Sequence, residues 1–206
     1  MGSLARDMVE AVRSQFGFAA SSDEVLGWLN MRHRKAVARS ECLTETLDLG
    51  VTDGSDVIEL PERVLRLREL TIGRVPYERT GRAEIRMLRS GRAWLSGDGG
   101  VFAPDAGAAG DDRIVLFPTP DAGLEVRGFA SVGAGELGME DELATPEEFD
   151  DELADGVAAV GLKREPEQLN VAVALEREFD MGVEELRQQV RRRLRSGPRR
   201  IRVVWP

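Results

Sequence analysis

Apolar positions recur every three to four residues at the start of the chain. Leu4, Met8, Val12 and Phe16 fall on one side of a helix that Ser3 caps and Gly17 ends. A second helix opens at Ser21-Ser22-Asp23-Glu24, which has the spacing of a capping box. Val25, Leu29 and Val37 mark its inner face with Trp28 beside it, while Arg32, Arg34, Lys35 and Arg39 make the opposite side basic. Between two arginines, His33 reads as a surface or boundary residue.

From Leu43 to Phe129 the period changes to two, as in Leu47, Leu49, Val51 and then Val57-Ile58-Glu59-Leu60. Val64 to Ile72 alternates Arg66 and Arg68 with leucines, as a half-exposed strand does. Asp53-Gly54 and Asp98-Gly99-Gly100 are tight-turn sequences. Gly81 to Leu88 reads as a short helix between strands, and Ala103 to Asp112 as a small-residue loop, mobile or facing a partner. The strand Arg113 to Phe117, stopped by Pro118-Thr119-Pro120-Asp121 and followed by Leu124 to Phe129, reads as a hairpin.

The helical period returns at Thr145-Pro146-Glu147-Glu148, where Thr caps, Pro takes the first helical position and Glu148 closes a capping box. Its stripe is Phe149, Leu153, Val157 and Val160. Pro166 starts the last helix, with a stripe of Leu169, Val173, Phe179, Val183, Leu186, Val190 and Leu194, and Gly197-Pro198 stops it. The end, Arg199 to Pro206, is strand-like. It is suited to fold back on its own domain or to extend a partner's sheet, with Ile201, Val203 and Trp205 on one face.

One-sided helices must bury their stripes, and four of them do so best against one another. The pattern therefore predicts an α+β protein: a helical bundle of two N-terminal plus two C-terminal helices with an inserted antiparallel β-domain. The expected divisions are residues 1–42, the β-domain 43–132, an acidic linker and second half-bundle 133–198, and an extended C-terminal arm 199–206.

Composition narrows the chemistry. The 206 residues are 42% hydrophobic and 32% charged, enough for a core in one or two small domains. No apolar run approaches the ~20 residues that span a bilayer, and Asp7 and Glu10 break any signal-peptide pattern, so no membrane role is expected. Cys42 is the only cysteine and His33 the only histidine, which leaves no intrachain disulfide, no multi-cysteine zinc site and no nucleophile with a base beside it. Cys42 reads as a small buried hydrophobe. We expect no catalytic residue, no metal and no cofactor. Gly133-Ala134-Gly135-Glu136-Leu137-Gly138 matches a dinucleotide fingerprint, but the acidic run after it would repel a pyrophosphate, so it reads as a flexible linker.

The net charge of −9 is unevenly spread. Glu136 to Asp155 holds acidic residues with no Lys or Arg, whereas Arg187, Arg191, Arg192, Arg193, Arg195, Arg199, Arg200 and Arg202 crowd the end. Such asymmetry suits complementary contacts between subunits, or two surfaces with different partners.

Several of these pieces, in this order, resemble the head-to-tail adaptor (connector) proteins of tailed bacteriophages. They are the helix around Trp28-Leu29-Asn30, the strand Val64 to Ile72, the Leu116-Phe117-Pro118-Thr119-Pro120-Asp121 segment with its following strand, the Thr145-Pro146-Glu147-Glu148-Phe149 start and the long terminal helix. The resemblance implies a structural virion protein rather than an enzyme. It implies a homo-oligomeric ring of about a dozen copies beneath the portal protein, continuing the DNA channel toward a downstream neck or tail protein. Double-stranded DNA would pass without sequence-specific binding, and the protein would sit in the virion neck after assembly in the host cytoplasm. On that reading the arm Arg199, Arg200, Ile201, Arg202, Val203, Val204 and Trp205 binds the portal. Arg187, Arg191, Arg192 and Arg195, with Asp141, Glu142, Glu147, Asp150 and Asp151, make subunit contacts or face the lumen. The alternative is an arginine-tailed DNA-binding regulatory protein, which would bind duplex DNA in a salt-sensitive way.

Overall fold

A computed structural model of the chain describes residues 2–105 and 112–194, and the backbone of 202–204. The chain is α+β and forms two compact units, one of residues 1–43 with 133–195, the other of residues 44–132 with the terminal strand.

In the helical unit, α1 (Ala5–Phe16) buries Met8, Val9 and Val12 and ends where Gly17 adopts φ 65° and returns its N–H to the Arg13 carbonyl. Ser3 does not cap it. The first free N–H groups, of Ala5 and Arg6, donate instead to the carbonyls of Asp141 and Met139, each at 2.9 Å, and the Ser3 hydroxyl donates to Asp150. Helix α2 (Ser22–Ser40) starts as expected, with Ser21 Oγ accepting from the Glu24 N–H at 3.2 Å.

The expected cap at Thr145 is also replaced. A single 3-10 turn, Glu147–Phe149, follows Pro146, and α4 (Asp150–Leu162) begins after it. Leu143 and Phe149, on either side of this start, are both buried in the core. Thr145 is buried, and its hydroxyl has no hydrogen-bond partner among the described residues.

Pro166 opens another 3-10 turn, Pro166–Gln168, ahead of α5 (Leu169–Arg193). Phe179, Val183, Leu186 and Val190 are buried, but Leu169 and Val173, assigned to the same stripe, are 49% and 41% exposed. Helical phase places Val173 about 120° around the axis from Phe179, off the face that Ala172, Val183, Leu186 and Val190 share, and length accounts for Leu169. Helix α4 has 13 residues and α5 has 25, or about 20 Å against 37 Å. An added Cβ at Gly156 would meet Phe179 and one at Gly182 would meet Glu152, which sets an antiparallel register and leaves both ends of α5 beyond α4.

The second unit is built on a seven-stranded sheet of β1 (Thr44–Val51), β2 (Val57–Glu59), β3 (Val64–Ile72), β4 (Val75–Arg79), β6 (Gly100–Pro104), β7 (Arg113–Phe117) and β8 (Glu125–Val132). The order is β1-β8-β3-β4-β6-β7-β2. Its edge strands β1 and β2 are successive in sequence. A flat seven-stranded sheet would separate them by about 29 Å, whereas the connection 52–56 reaches only about 20 Å, so the sheet must curl. Thr52 N–H donates to the Leu124 carbonyl at 2.9 Å and Leu116 N–H to the Asp56 carbonyl at 2.7 Å, stitching that connection to strands near both edges.

Two expectations change here. The sheet is mixed rather than wholly antiparallel, because β4 and β6 run parallel, Tyr77 opposite Gly100. Their connection passes through α3 (Arg82–Arg89), the crossover a parallel pair requires. Ile85 and Leu88 of that helix pack with Val101, Ala103 and Val115. Nor do β7 and β8 form a hairpin, since β3, β4 and β6 lie between them. Pro118 and Pro120 have no N–H to continue a ladder. The turn is held elsewhere, with Tyr77 Oη donating to the Pro118 carbonyl at 3.0 Å and Thr52 Oγ1 to that of Asp121 at 2.5 Å. The Phe117–Pro118 peptide is cis.

A separate two-stranded ladder pairs β5 (Trp94–Ser96) antiparallel with β9 (Arg202–Val204), Trp94 opposite Val204, Leu95 opposite Val203 and Ser96 opposite Arg202. Most of the loop 103–112 and the stop signal Gly197-Pro198 lie outside the described residues.

Candidate assembly surfaces

The acidic stretch expected as a flexible linker is fastened along the helical unit. Asn30, 4% exposed, donates from Nδ2 to the Leu137 carbonyl at 3.0 Å and accepts the Leu137 N–H on Oδ1 at 2.7 Å. Asp141 Oδ2 accepts from Gly138 N–H at 2.7 Å, Leu4 forms a β-bridge with Glu142, and Ala144 N–H donates to His33 Nε2 at 2.9 Å. Backbone groups of Leu137, Met139, Asp141 and Ala144 are thus paired with α1 and α2, which holds the segment from Leu137 onward on a fixed path.

His33 is therefore neither surface nor boundary. It is 1% exposed, and burial lowers its pKa to about 4. Because Nε2 accepts, the neutral ring carries its proton on Nδ1, which has no partner among the described residues. Cys42 is half-buried rather than fully buried. Its Sγ donates to the Ala144 carbonyl at 3.8 Å, and burial pushes the thiol pKa up.

With this segment held, its carboxylates gather at one end of the unit. Asp141, Glu142, Glu147 and Asp151 are exposed, and Asp150 is half-buried under Ser3. Burial raises the Asp150 pKa, opposed by the Ser3 hydrogen bond and reinforced by Glu147, Asp151 and Glu148. Burial likewise raises that of Asp155, with Asp151, Glu152 and Glu178 adding to it. The antiparallel register places the first turn of α4 beside the later turns of α5, toward Arg187, Arg191 and Arg192. Negative charge at a helix N-terminus and positive charge at a C-terminus both suit the macrodipoles, so two antiparallel helices concentrate opposite charges at one end. Arg191 and Arg192 are exposed. Arg187 is half-buried and donates to Glu184 Oε2 at 3.3 Å. Arg195 lies outside the described residues.

The basic side assigned to α2 proves to be partly interior. Arg32 is 5% exposed and forms a two-pronged ion pair with Glu176, Nη1 to Oε1 at 2.6 Å. Lys35 bridges Glu176 and Asp180, each at 3.2 Å, Arg39 pairs with Asp180, and Lys163 reaches Glu176 at 2.8 Å. The guanidinium of Arg32 and the ammonium of Lys35 each lie 5.2 Å from the Phe179 ring centroid. Arg32 foremost holds the Glu176 pKa down at about 2. The signal was present as matched spacing: basic residues at 32, 35 and 39 on one helix, acids at 176 and 180 on another.

For the arm, the backbone of Arg202, Val203 and Val204 is paired with β5, whereas Arg199, Arg200, Ile201 and Trp205 lie outside the described residues. Trp94 on the receiving strand is 53% exposed. Among the described residues, no helix is long and apolar enough to cross a membrane.

A search of curated proteins finds no match. A family model described as SU10 adaptor protein matches residues 3–202, which takes in both halves of the helical unit, the curled sheet and the start of the terminal strand. The chain thus belongs to the SU10 adaptor protein family, a family of structural phage head-to-tail adaptors.

Proposed function

We propose that the chain forms a ring beneath the portal and continues the DNA channel toward the tail. The observation that carries this reading is the gathering of exposed carboxylates and arginines at one end of the helical unit. Opposite charges on one subunit suit a heterologous contact repeated around a closed ring, in which Arg187, Arg191, Arg192 and Arg195 meet Asp141, Glu142, Glu147, Asp150 and Asp151 of the next copy. Carboxylates left uncovered would face the lumen and keep passing phosphates from binding tightly.

On this reading the half-bundles 1–42 and 133–198 build the ring wall, the β-domain 43–132 is inserted between them, and the arm 199–206 meets the portal. Its other partner is a downstream neck or tail protein. Native mass spectrometry of the chain, alone and with the portal protein of the same genome, tests it. A ring of about a dozen copies on the portal is expected, and deletion of residues 199–206 should abolish docking while the fold persists. A chain that stays monomeric beside the portal overturns the ring, and unimpaired docking of the truncated chain overturns the arm.

A further inference from the structure

We propose that the C-terminal strand is exchanged between neighbouring copies, so that β9 of one chain lies on β5 of the next; this rests on the ring reading above. The ladder is small, with three residue pairs in a sheet of two strands, separate from the seven-stranded sheet. Isolated two-stranded ladders are marginal in water. No tight turn joins β5 to β9, which are far apart in sequence, so closure within one chain gains little from local chain geometry.

An identical β5 on an adjacent copy offers the same backbone donors and acceptors, and exchange therefore sacrifices none of the ladder's hydrogen bonds. A ring supplies that second β5 at high local concentration. Trp94, on β5 opposite Val204, is 53% exposed, an apolar surface that the body of an adjacent copy would cover once the strands are exchanged. Among the described residues β9 is paired on one side only. A strand seated on a neighbour thus keeps an open edge for the portal, and one arm can tether the ring and meet the vertex.

The test uses full-length chains carrying Cys42→Ala, one with Ser96→Cys and one with Arg202→Cys, positions that face each other directly across the ladder. The two are mixed, assembled on the portal, oxidised mildly and run on a non-reducing gel. Exchange predicts disulfide-linked dimers in the mixture that neither chain forms alone, repeated with Trp94→Cys and Val204→Cys. If native mass spectrometry shows the ring while the mixture gives no linked dimer, and the doubly substituted chain closes only on itself, exchange is refuted and the ring reading stands. If no ring forms on the portal, the ring reading itself falls. Failure of the doubly substituted chain to form any disulfide would remove the ladder and the proposal together.

Discussion

The Asn30 side chain hydrogen-bonds both backbone polar groups of Leu137, giving to its carbonyl and taking from its N–H. One amide on α2 thereby does for the crossing segment what a neighbouring strand would do. Asn30→Ala leaves both backbone groups to find water at the edge of the core. We expect a loss of about 2 kcal/mol in urea unfolding, with faster amide exchange confined to residues 133–145. An unchanged exchange pattern would show that the segment is held by its other contacts.

Gly156 sets the approach of α4 to α5. A Cβ there would stand 2.5 Å from the Phe179 ring. Gly156→Ala should therefore destabilise by about 1–2 kcal/mol, overpacking outweighing the gain in helix propensity. Gly27 on α2 is the control, because a Cβ there meets nothing within 4 Å. Gly27→Ala should stabilise by roughly 0.5–1 kcal/mol, and thermal melts of the two variants should shift in opposite directions.

His33 makes stability depend on mild acid. Its folded pKa is about 4, below its ordinary 6.5, so between those values the unfolded chain binds the extra proton. Stability should be full above pH 6.5 and fall as the pH drops toward 4, by at most about 3–4 kcal/mol. His33→Gln keeps a polar group at the site and should flatten this slope in unfolding curves taken at pH 7, 5.5 and 4.5. Glu176 adds a later step, since its pKa is lowered from 4.5 to about 2 and its ion pairs are lost only across that range.

Glu176 also neutralises a charge that the fold has buried. With Arg32 5% exposed, Glu176→Gln leaves a guanidinium without its counter-ion in the interior. A loss of about 2 kcal/mol is expected, short of a fully buried pair because Glu176 retains 21% exposure. Glu176→Gln combined with Arg32→Met should recover part of it in the same urea series.

The charged end of the helical unit makes a separable prediction about assembly. Arg191→Glu with Arg192→Glu alters exposed groups, so the melting temperature should hold while ring formation is lost. Glu142→Arg with Asp151→Arg, both exposed, mixed with that variant, should restore oligomers if the two surfaces meet. Recovery that fails at low salt, where such contacts are strongest, would assign these residues to the lumen instead.

Much of this was legible in the residues themselves. Local rules placed the Ser21 cap, the Gly17 stop, the strand Val64–Ile72 and the short helix at Arg82, because each depends on neighbours within a few positions. The order of elements also carried the adaptor family. The helix starts expected at Ser3 and Thr145 differ because distant carbonyls and core residues, not the adjacent hydroxyls, set those termini.

By itself, then, the sequence determined where the helices and the strand-rich region fall, the α+β class and the charge asymmetry between Glu136–Asp155 and the C-terminus. Those properties follow from side-chain periodicity and composition. Only the tertiary structure decided that β7 and β8 lie apart, that Arg32 and His33 are interior, that the glycine-rich run is pinned by Asn30, and that the acidic first turn of α4 lies beside the later turns of α5. Each of these depends on which surfaces meet between separate elements, a choice made by packing and hydrogen-bond satisfaction over the whole unit rather than by any local pattern.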